Sequence, residues 1–292
     1  MSVLLIDADG ELWYTRRDEL GVQCIAMPYS YGGKEYYYDL GEHTDFRAFY
    51  DAVRGGEIPK TMALNPQEYT EIIEPIFARG EDVLYVSFSH KMSGTFDHLD
   101  TALAELATKY PERKCTVFDT KSISLGAGIQ MEYAAELKNN GASDEEIISA
   151  LESFTDRVAV YFMVDDLMHL KRGGRLSGIA AFAGKLLDLK PILTLDENGG
   201  LGVITKKSGK KKAMRYIADC VCEQLTGTEY SVYVVDADSP EDGGWIAGEI
   251  KAKRPDAKIV RQTVGPVIGA HCGPGTLGVI FIADKRPIPL TK

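Results

Sequence analysis

The sequence of 292 residues contains little cysteine, no surplus of basic residues and no long apolar run. Its five cysteines are odd in number and scattered, and their spacing matches no structural zinc site, so we expect reduced thiols in the cytoplasm. The net charge of −10 argues against nucleic-acid binding, which usually requires a basic surface. No apolar run is long enough to span a membrane, and the first residues lack the basic and apolar regions of a signal peptide. We therefore expect an intracellular protein without stable membrane insertion.

What the chain does contain is the composition of a globular protein, with 45% hydrophobic and 26% charged residues. Its first half alternates short apolar runs with amphipathic helical patterns, which predicts a doubly wound α/β domain. Strands are predicted over residues 3–6, 24–28, 35–38, 83–86 and 115–118. We assign residues 1–160 to an N-terminal, Rossmann-like three-layer domain with a parallel sheet.

The pattern changes after the apolar strand predicted over residues 158–164. A glycine-rich turn between the apolar runs 191–195 and 201–204 predicts a hairpin. Helices are predicted over 179–187, 213–225 and 242–251, and strands over 231–236, 259–262 and 277–282. A hairpin combined with α/β units indicates a mixed sheet, so we assign residues 161–292 to a C-terminal α/β domain.

The segment 87–96 joins a buried strand to a helix and is the first candidate site. Ser93-Gly94-Thr95 falls at the predicted helix start, where hydroxyls, free N–H groups and the helix dipole favour an anion. A plain helix cap is the alternative for these residues.

Three further residues are candidates for the same chemistry. Thr61 and His271 each place a hydrogen-bonding side chain in a predicted loop at the end of an apolar element. A helix cap is the alternative for Thr61, and a structural role before a Gly/Pro turn is the alternative for His271. Arg175 follows two glycines that would let its guanidinium reach an anion closely, although a salt bridge between two segments explains the pattern equally well.

A dense basic cluster follows the predicted hairpin. Its members are Lys206, Lys207, Lys210, Lys211, Lys212 and Arg215. The glycine spacing before Lys210 does not match a P-loop, so a nucleotide-binding role is not indicated. A solvated face and a docking patch for a partner are the two interpretations.

Four motifs, in this order and spacing, resemble the DegV family of bacterial fatty-acid-binding proteins over essentially the whole chain. They are SGT at 93–95, LKRGGRLS at 170–177, LKPIL at 189–193 and GAHCGPG at 269–275. The resemblance implies two α/β domains and a long-chain fatty acid in a buried tunnel of the C-terminal domain, with its carboxylate at the domain interface. It also implies a binding protein rather than an enzyme, without a catalytic residue, metal or cofactor. Some members of the family present the carboxylate to a fatty acid kinase.

The resemblance assigns roles to particular residues of this chain. The implied carboxylate ligands are Thr61, Ser93, Gly94, His271 and Arg175, with Arg172 as the alternative source of positive charge. Residues implied near the ligand or its tail are Met62, Thr95, Ile192 and Gly273, and residues implied in partner docking are Arg172, Lys210 and Lys211. The tunnel is expected to be lined from residues 179–193 and the closing strands.

The chain departs from the family pattern at two places. The family usually has Thr-Asp-Ser at the first strand end, where this chain has Ile6-Asp7-Ala8, and Ser after Thr61, where this chain has Met62. Both changes remove hydroxyls near the implied head-group site.

Two other functions are alternatives to fatty-acid binding. A serine-type hydrolase would use Ser93 and His271 with Asp7 or Asp119, but Ser93 is not in a Gly-x-Ser-x-Gly elbow. A sugar or polyol phosphate binder follows only from fold analogy with dihydroxyacetone kinases, and it predicts no long apolar tunnel.

Overall fold

The computed structural model of the protein describes residues 2–176 and 189–290. Packing divides the chain into two units. The first unit comprises Met1–Thr44 and Thr61–Phe154, and the second comprises Asp45–Lys60 and Thr155–Lys292. The helix predicted over 179–187, and with it part of the expected tunnel lining, lies outside the described residues.

The elements alternate along the chain as the apolar patterns indicate. Up to residue 155 they are β1 (Ser2–Asp7), α1 (Tyr14–Leu20), β2 (Gln23–Ile25), β3 (Met27–Tyr31), β4 (Lys34–Tyr38), α2 (Phe46–Arg54), β5 (Lys60–Thr61), α3 (Pro66–Ala78), β6 (Asp82–Ser87), α4 (Thr95–Lys109), β7 (Cys115–Asp119), α5 (Leu125–Asn139) and α6 (Asp144–Thr155). After it come β8 (Val158–Met163), α7 (Leu167–Arg172), β9 (Leu189–Leu195), β10 (Leu201–Ser208), α8 (Lys210–Gln224), β11 (Ser231–Asp236), α9 (Pro240–Lys253), β12 (Lys258–Thr263), α10 (Pro266–Cys272) and β13 (Leu277–Ile282).

The first unit is built on a parallel four-stranded sheet of order β2-β1-β6-β7. The apolar run of β6 is buried along Val83–Val86, as expected for a strand with both faces covered. Because the strands are parallel, the carboxyl ends of β1, β6 and β7 lie at one edge, where α/β sheets bind ligands. Asp7, Ser87 and Asp119 are the last residues of these three strands.

A smaller three-stranded sheet of order β4-β3-β5, in which β3 and β4 pair antiparallel, belongs to the same part of the chain. Gly32 and Gly33 form its hairpin turn with φ of 56° and 72°, a left-handed conformation that glycine adopts at low cost. Helix α3 then begins with a capping box. The Asn65 side chain accepts from the backbone N–H of Glu68, and the Glu68 carboxylate accepts from the backbone N–H of Asn65. Asn65, and not Thr61, is therefore the cap of this helix.

The second unit contains a mixed six-stranded sheet of order β10-β9-β8-β13-β11-β12. Helices α8 and α9 cover one face, where alternate strand residues such as Tyr161, Ile192 and Phe281 form a buried core with them. The intervening residues point to the opposite face. The parallel sheet of the first unit and the mixed sheet of the second confirm the predicted α/β class.

Helix α2 packs in the second unit although it precedes most of the first in sequence. The Tyr50 hydroxyl donates to the Val264 carbonyl over 2.8 Å, and Arg54 pairs with Asp238. Gly269 of α10 faces the Tyr50 ring so closely that a Cβ there would lie 2.6 Å from the hydroxyl oxygen. The first glycine of the GAHCGPG motif therefore lets α2 pack closely against α10.

The structure corrects several local predictions. Thr61 and His271, both predicted in loops, lie in strand β5 and in the short helix α10, and helices α1 and α7 were not predicted. Helices of six or seven residues complete fewer than two turns, so they leave little periodicity in the sequence. The strand predicted over 24–28 is two strands, because β2 pairs with β1 while β3 pairs with β4.

The described part of the chain has neither a membrane-spanning helix nor a cluster of metal ligands. None of its helices is both long and apolar enough to cross a lipid bilayer. Within residues 2–176 and 189–290, no group of three or more His, Cys, Asp or Glu side chains is arranged to hold a metal ion.

Candidate functional site

The loop after β6 carries the first group of candidate ligands. Its first amide, that of Phe88, donates to Oδ2 of Asp7 over 2.9 Å, and the Ser89 amide donates to the Ser122 carbonyl over 2.8 Å. The Met92 amide then donates to the Ser89 carbonyl. These bonds hold the loop at the carboxyl edge of the parallel sheet.

Ser93, Gly94 and Thr95 occupy the start of α4, but their roles differ. Gly94 is the N-cap and provides no side chain, while Ser93 Oγ accepts a local hydrogen bond from the Thr95 amide over 3.2 Å. In the described part of the chain no group accepts a hydrogen bond from the Ser93 hydroxyl, which is half-buried. Ser93 is therefore not the helix cap, and its proton is available to a ligand.

Thr95 is placed differently from its two neighbours. It is buried, and its hydroxyl bonds to the Tyr69 hydroxyl of α3 over 2.8 Å. Thr95 thus ties α4 to α3, and its hydroxyl is already engaged.

Thr61 and Met62 lie half-buried at the end of β5, where the Met62 amide donates to the Pro28 carbonyl over 3.1 Å. The His98 imidazole of α4 donates through Nδ1 to the Leu64 carbonyl over 2.7 Å, since a carbonyl can only accept. This bond and the Tyr69–Thr95 bond connect the segment after Thr61 to the first turns of α4. The first unit therefore holds both predicted ligand segments in one framework.

His90, which was not among the predicted site residues, also fixes the loop. Its Nε2 lies 2.9 Å from Ser87 Oγ, and its ring stacks on Phe96 with centroids 3.7 Å apart. Burial lowers the pKa of His90, against the raising effect of Asp119, so the ring is neutral at pH 7. A histidine three residues beyond a buried strand was the only signal in the sequence.

The second unit holds His271 by a reciprocal arrangement of two helix ends. A Cβ on Gly173, just after α7, would overlap Nδ1 of His271 in α10. A Cβ on Gly273, just after α10, would in turn lie within 2.7 Å of Nε2 of His169 in α7. Each histidine therefore packs on the glycine that follows the other helix.

The second glycine after α7 has a different function. Gly174 has φ of 73°, and its amide donates to the Lys171 carbonyl while the Arg175 amide donates to the Leu170 carbonyl. This is a Schellman helix end, which requires the left-handed conformation at Gly174. The Arg175 guanidinium then donates to the Gly173 carbonyl over 2.6 Å.

His271 is buried beside this guanidinium, and its burial and the nearby positive charge together determine its own charge. Burial and the positive charge of Arg175 lower the pKa of His271 to about 4, while a hydrogen bond to the Gly173 backbone opposes the shift. The imidazole is therefore neutral at pH 7, so Arg175 is the positively charged member of this pair. A neutral ring next to one cation suits a singly charged carboxylate.

The remaining predicted residues of the second unit lie in varied surroundings. Ile192 is fully buried in the core under α8, so the side chain of its neighbour Leu193 points to the other face of the sheet. Lys210 pairs with Asp242 over 2.6 Å, whereas Lys211 and Arg172 are exposed.

The candidate residues thus fall into two groups. Thr61, Met62, Ser93, Gly94 and Thr95 belong to the first unit, and all other predicted site residues belong to the second. The convergence of the two groups on one ligand stays a prediction.

Similarity to known proteins extends over almost the whole chain. The family model described as "Uncharacterised protein, DegV family" matches residues 4–284. A DegV domain-containing protein of Clostridium perfringens is 33% identical over 285 residues, which cover 97% of this chain and 98% of that protein.

Two solved structures are similar over a comparable length. A DegV family protein from Thermus thermophilus, described by its fatty acid binding, is 30% identical with a TM-score of 0.83 and covers 96% of this chain and 99% of its own. DegV from Bacillus subtilis, described as a fatty acid binding protein, is 30% identical with a TM-score of 0.82. The match covers 96% of this chain and 98% of the Bacillus chain. With its sequence and its fold matched from end to end, this protein belongs to the DegV family.

Proposed function

We propose that this protein binds a long-chain fatty acid, whose carboxylate is held by Thr61, Ser93 and His271 with Arg175 supplying positive charge. The observation that carries the proposal is the end-to-end similarity, at 30% identity, to two DegV proteins described as binding fatty acids. The available Ser93 hydroxyl and the neutral imidazole of His271 beside Arg175 support it, because each can hydrogen-bond or attract a carboxylate. The five free cysteines support a cytoplasmic location.

The energetics of such a ligand favour binding. Burial of about 15 methylene groups at roughly 0.8 kcal/mol each yields about 12 kcal/mol, which exceeds typical association costs. The carboxylate then needs only a few donors and one cation to avoid the cost of an unpaired buried charge.

We place the acyl tail on the face of the mixed sheet that α8 and α9 do not cover. The core under these helices is filled by side chains of alternate strand residues, Ile192 among them. Phe162, Leu193 and Ile280 point to the opposite face and are buried. In this arrangement Leu193, rather than Ile192, contacts the tail.

Ser93→Ala tests the proposed head-group site. Loss of one hydrogen bond to a buried anion costs about 1–3 kcal/mol, so palmitate affinity should fall by about five- to a hundredfold. Ser208→Ala, at the exposed end of β10, is the control and should bind palmitate like the unaltered protein. Unchanged affinity in Ser93→Ala would remove Ser93 from the site.

The serine-hydrolase alternative is less well supported. With a pKa of about 4, His271 would be a weak general base at neutral pH. Of the two candidate acids, Asp7 accepts from Phe88 and Tyr85, and Asp119 accepts from the amides of His90 and Lys121. Labelling of Ser93 by a fluorophosphonate would favour the hydrolase over the binding protein.

We further propose that the protein presents the carboxylate to a fatty acid kinase through its basic cluster. Lys210 and Arg215 are paired with Asp242 and Glu249 inside the unit, whereas Lys211 and Lys212 are exposed and have no ion pair among the described residues. Replacing Lys211 and Lys212 by Glu should weaken acyl phosphate formation by an added kinase in a salt-dependent way, with palmitate binding intact. Unchanged acyl phosphate formation would identify the cluster as a solvated face.

A further inference from the structure

Asp7 is a fully buried carboxylate that connects two elements of the parallel sheet. It ends β1, and its Oδ2 accepts from the Phe88 amide over 2.9 Å and from the Tyr85 hydroxyl over 3.1 Å. The backbone amides of Asp9 and Gly10 also interact with the carboxylate. All these partners are neutral donors, and none of the ion pairs found in the described ranges includes Asp7.

Burying a carboxylate without a cationic partner costs folding free energy, which points to a role other than stability. Here the carboxylate accepts from the first amide of the loop that leads to Ser93. From Phe88 the loop is bonded further through Ser89 to Met92, and the next residue is Ser93. The bond from the Phe88 amide to Asp7 is therefore the first of the hydrogen bonds that fix the backbone preceding Ser93.

We propose that Asp7 is a positioning residue for the head-group site, and that its ionised carboxylate holds the loop from Phe88 to Gly94 in the ligand-binding conformation. The inference rests on the proposed fatty-acid binding for its functional consequence, but the Asp7–Phe88 bond can be tested without ligand. Protonation of Asp7 weakens its bond to the Phe88 amide, because a neutral acceptor forms the weaker hydrogen bond.

The surroundings of Asp7 make this protonation accessible near neutral pH. Burial raises the pKa of Asp7 to about 7, although its hydrogen bonds oppose the shift. The titratable groups that face it are Asp9 from the turn after β1, Cys24 from β2, Tyr69 from α3 and Tyr85 from β6. Burial raises the pKa of Cys24, Tyr69 and Tyr85 above their ordinary values, so these three stay neutral between pH 6 and 8.

The first measurement needs no ligand. The chemical shift of the Phe88 amide proton is followed by NMR from pH 5.5 to 8.5 in the unaltered protein, in Asp7→Asn and in Asp236→Asn. Asp236 is the matched control, because it is also a buried strand-end carboxylate with a raised pKa that accepts from a following amide, that of Ser239. We expect an inflection near pH 7 in the unaltered protein and in Asp236→Asn, and none in Asp7→Asn. A Phe88 amide that does not titrate in the unaltered protein would overturn the proposal, even if Asp7→Asn failed to fold.

The second measurement is palmitate affinity over the same pH range. The unaltered protein should lose affinity severalfold as the pH falls from 8 to 6, and Asp7→Asn should bind weakly and with a flat profile. Full affinity of Asp7→Asn at pH 8 would overturn the positioning role. If the unaltered protein bound no palmitate at any pH, the proposed function would fail, while the Phe88 titration would still decide whether Asp7 anchors the loop.

Discussion

Substituting alanine for Gly173 should displace His271 without straining the backbone. Gly173 has a right-handed helical conformation with φ of −75°, which alanine adopts readily. The three atoms nearest to the new Cβ all belong to the His271 imidazole, since the Cβ would overlap Nδ1 and approach Cγ and Cε1 to 3.2 Å. The effect of this substitution therefore reports on the packing of His271 against Gly173.

The magnitude follows from the overlap. Forcing a methyl group into a packed site costs about 1–3 kcal/mol, and moving the ring also weakens its hydrogen bond to the Gly173 backbone by about 0.5–1.5 kcal/mol. We expect Gly173→Ala to lower the free energy of unfolding by about 2–4 kcal/mol in urea denaturation followed by circular dichroism. Palmitate affinity should fall as well, because the imidazole leaves its position beside Arg175.

Two further variants isolate the cause. In a His271→Ala background the imidazole is gone, so the penalty of Gly173→Ala should shrink by at least about 1 kcal/mol. Gly248→Ala is the control, because Gly248 lies in α9 with nothing within 4 Å of a new Cβ, and alanine there should stabilise the helix by up to about 1 kcal/mol. An undiminished penalty in the His271→Ala background would refute the reciprocal packing of α7 and α10.

Two more expectations concern the first unit. Asn65→Ala removes the cap of α3 and should cost about 1 kcal/mol of unfolding free energy, and an unchanged urea midpoint would contradict the capping role. Between pH 4 and 7 the folded state binds more protons at Asp7 than the unfolded chain, because its pKa is raised from 3.8 to about 7. The unfolding free energy of the unaltered protein minus that of Asp7→Asn should therefore decline as the pH rises through this window, by an amount on the order of a few kcal/mol, and then level off. A difference that rises with pH would contradict the raised pKa.

The strands could be predicted from the sequence more fully than the short helices. The apolar runs marked β11 over residues 231–236 and β13 over 277–282 with the bounds that the structure has, because each strand is buried along most of its length. Helices α7 and α10 were missed since they are short and depend on each other. Gly173 and His271 are far apart in sequence, and no local pattern indicates that one leaves room for the other.

The candidate site shows the same limit. The motifs predicted Ser93, Arg175 and His271 as ligands, but they did not indicate how these side chains are held. The contribution of Asp7 depends on the pairing of β1 with β6, which places the end of one strand next to the first amide after the other. Predicting such a contact requires the strand order, which local sequence patterns do not show.

The central claim, that the protein binds a long-chain fatty acid, is tested most directly by mass spectrometry of the small molecules released when the purified protein is denatured. We predict a long-chain fatty acid in about equimolar amount, and its loss or reduction in Ser93→Ala. A released sugar or polyol phosphate, or the absence of any fatty acid together with no binding of added palmitate, would contradict the account.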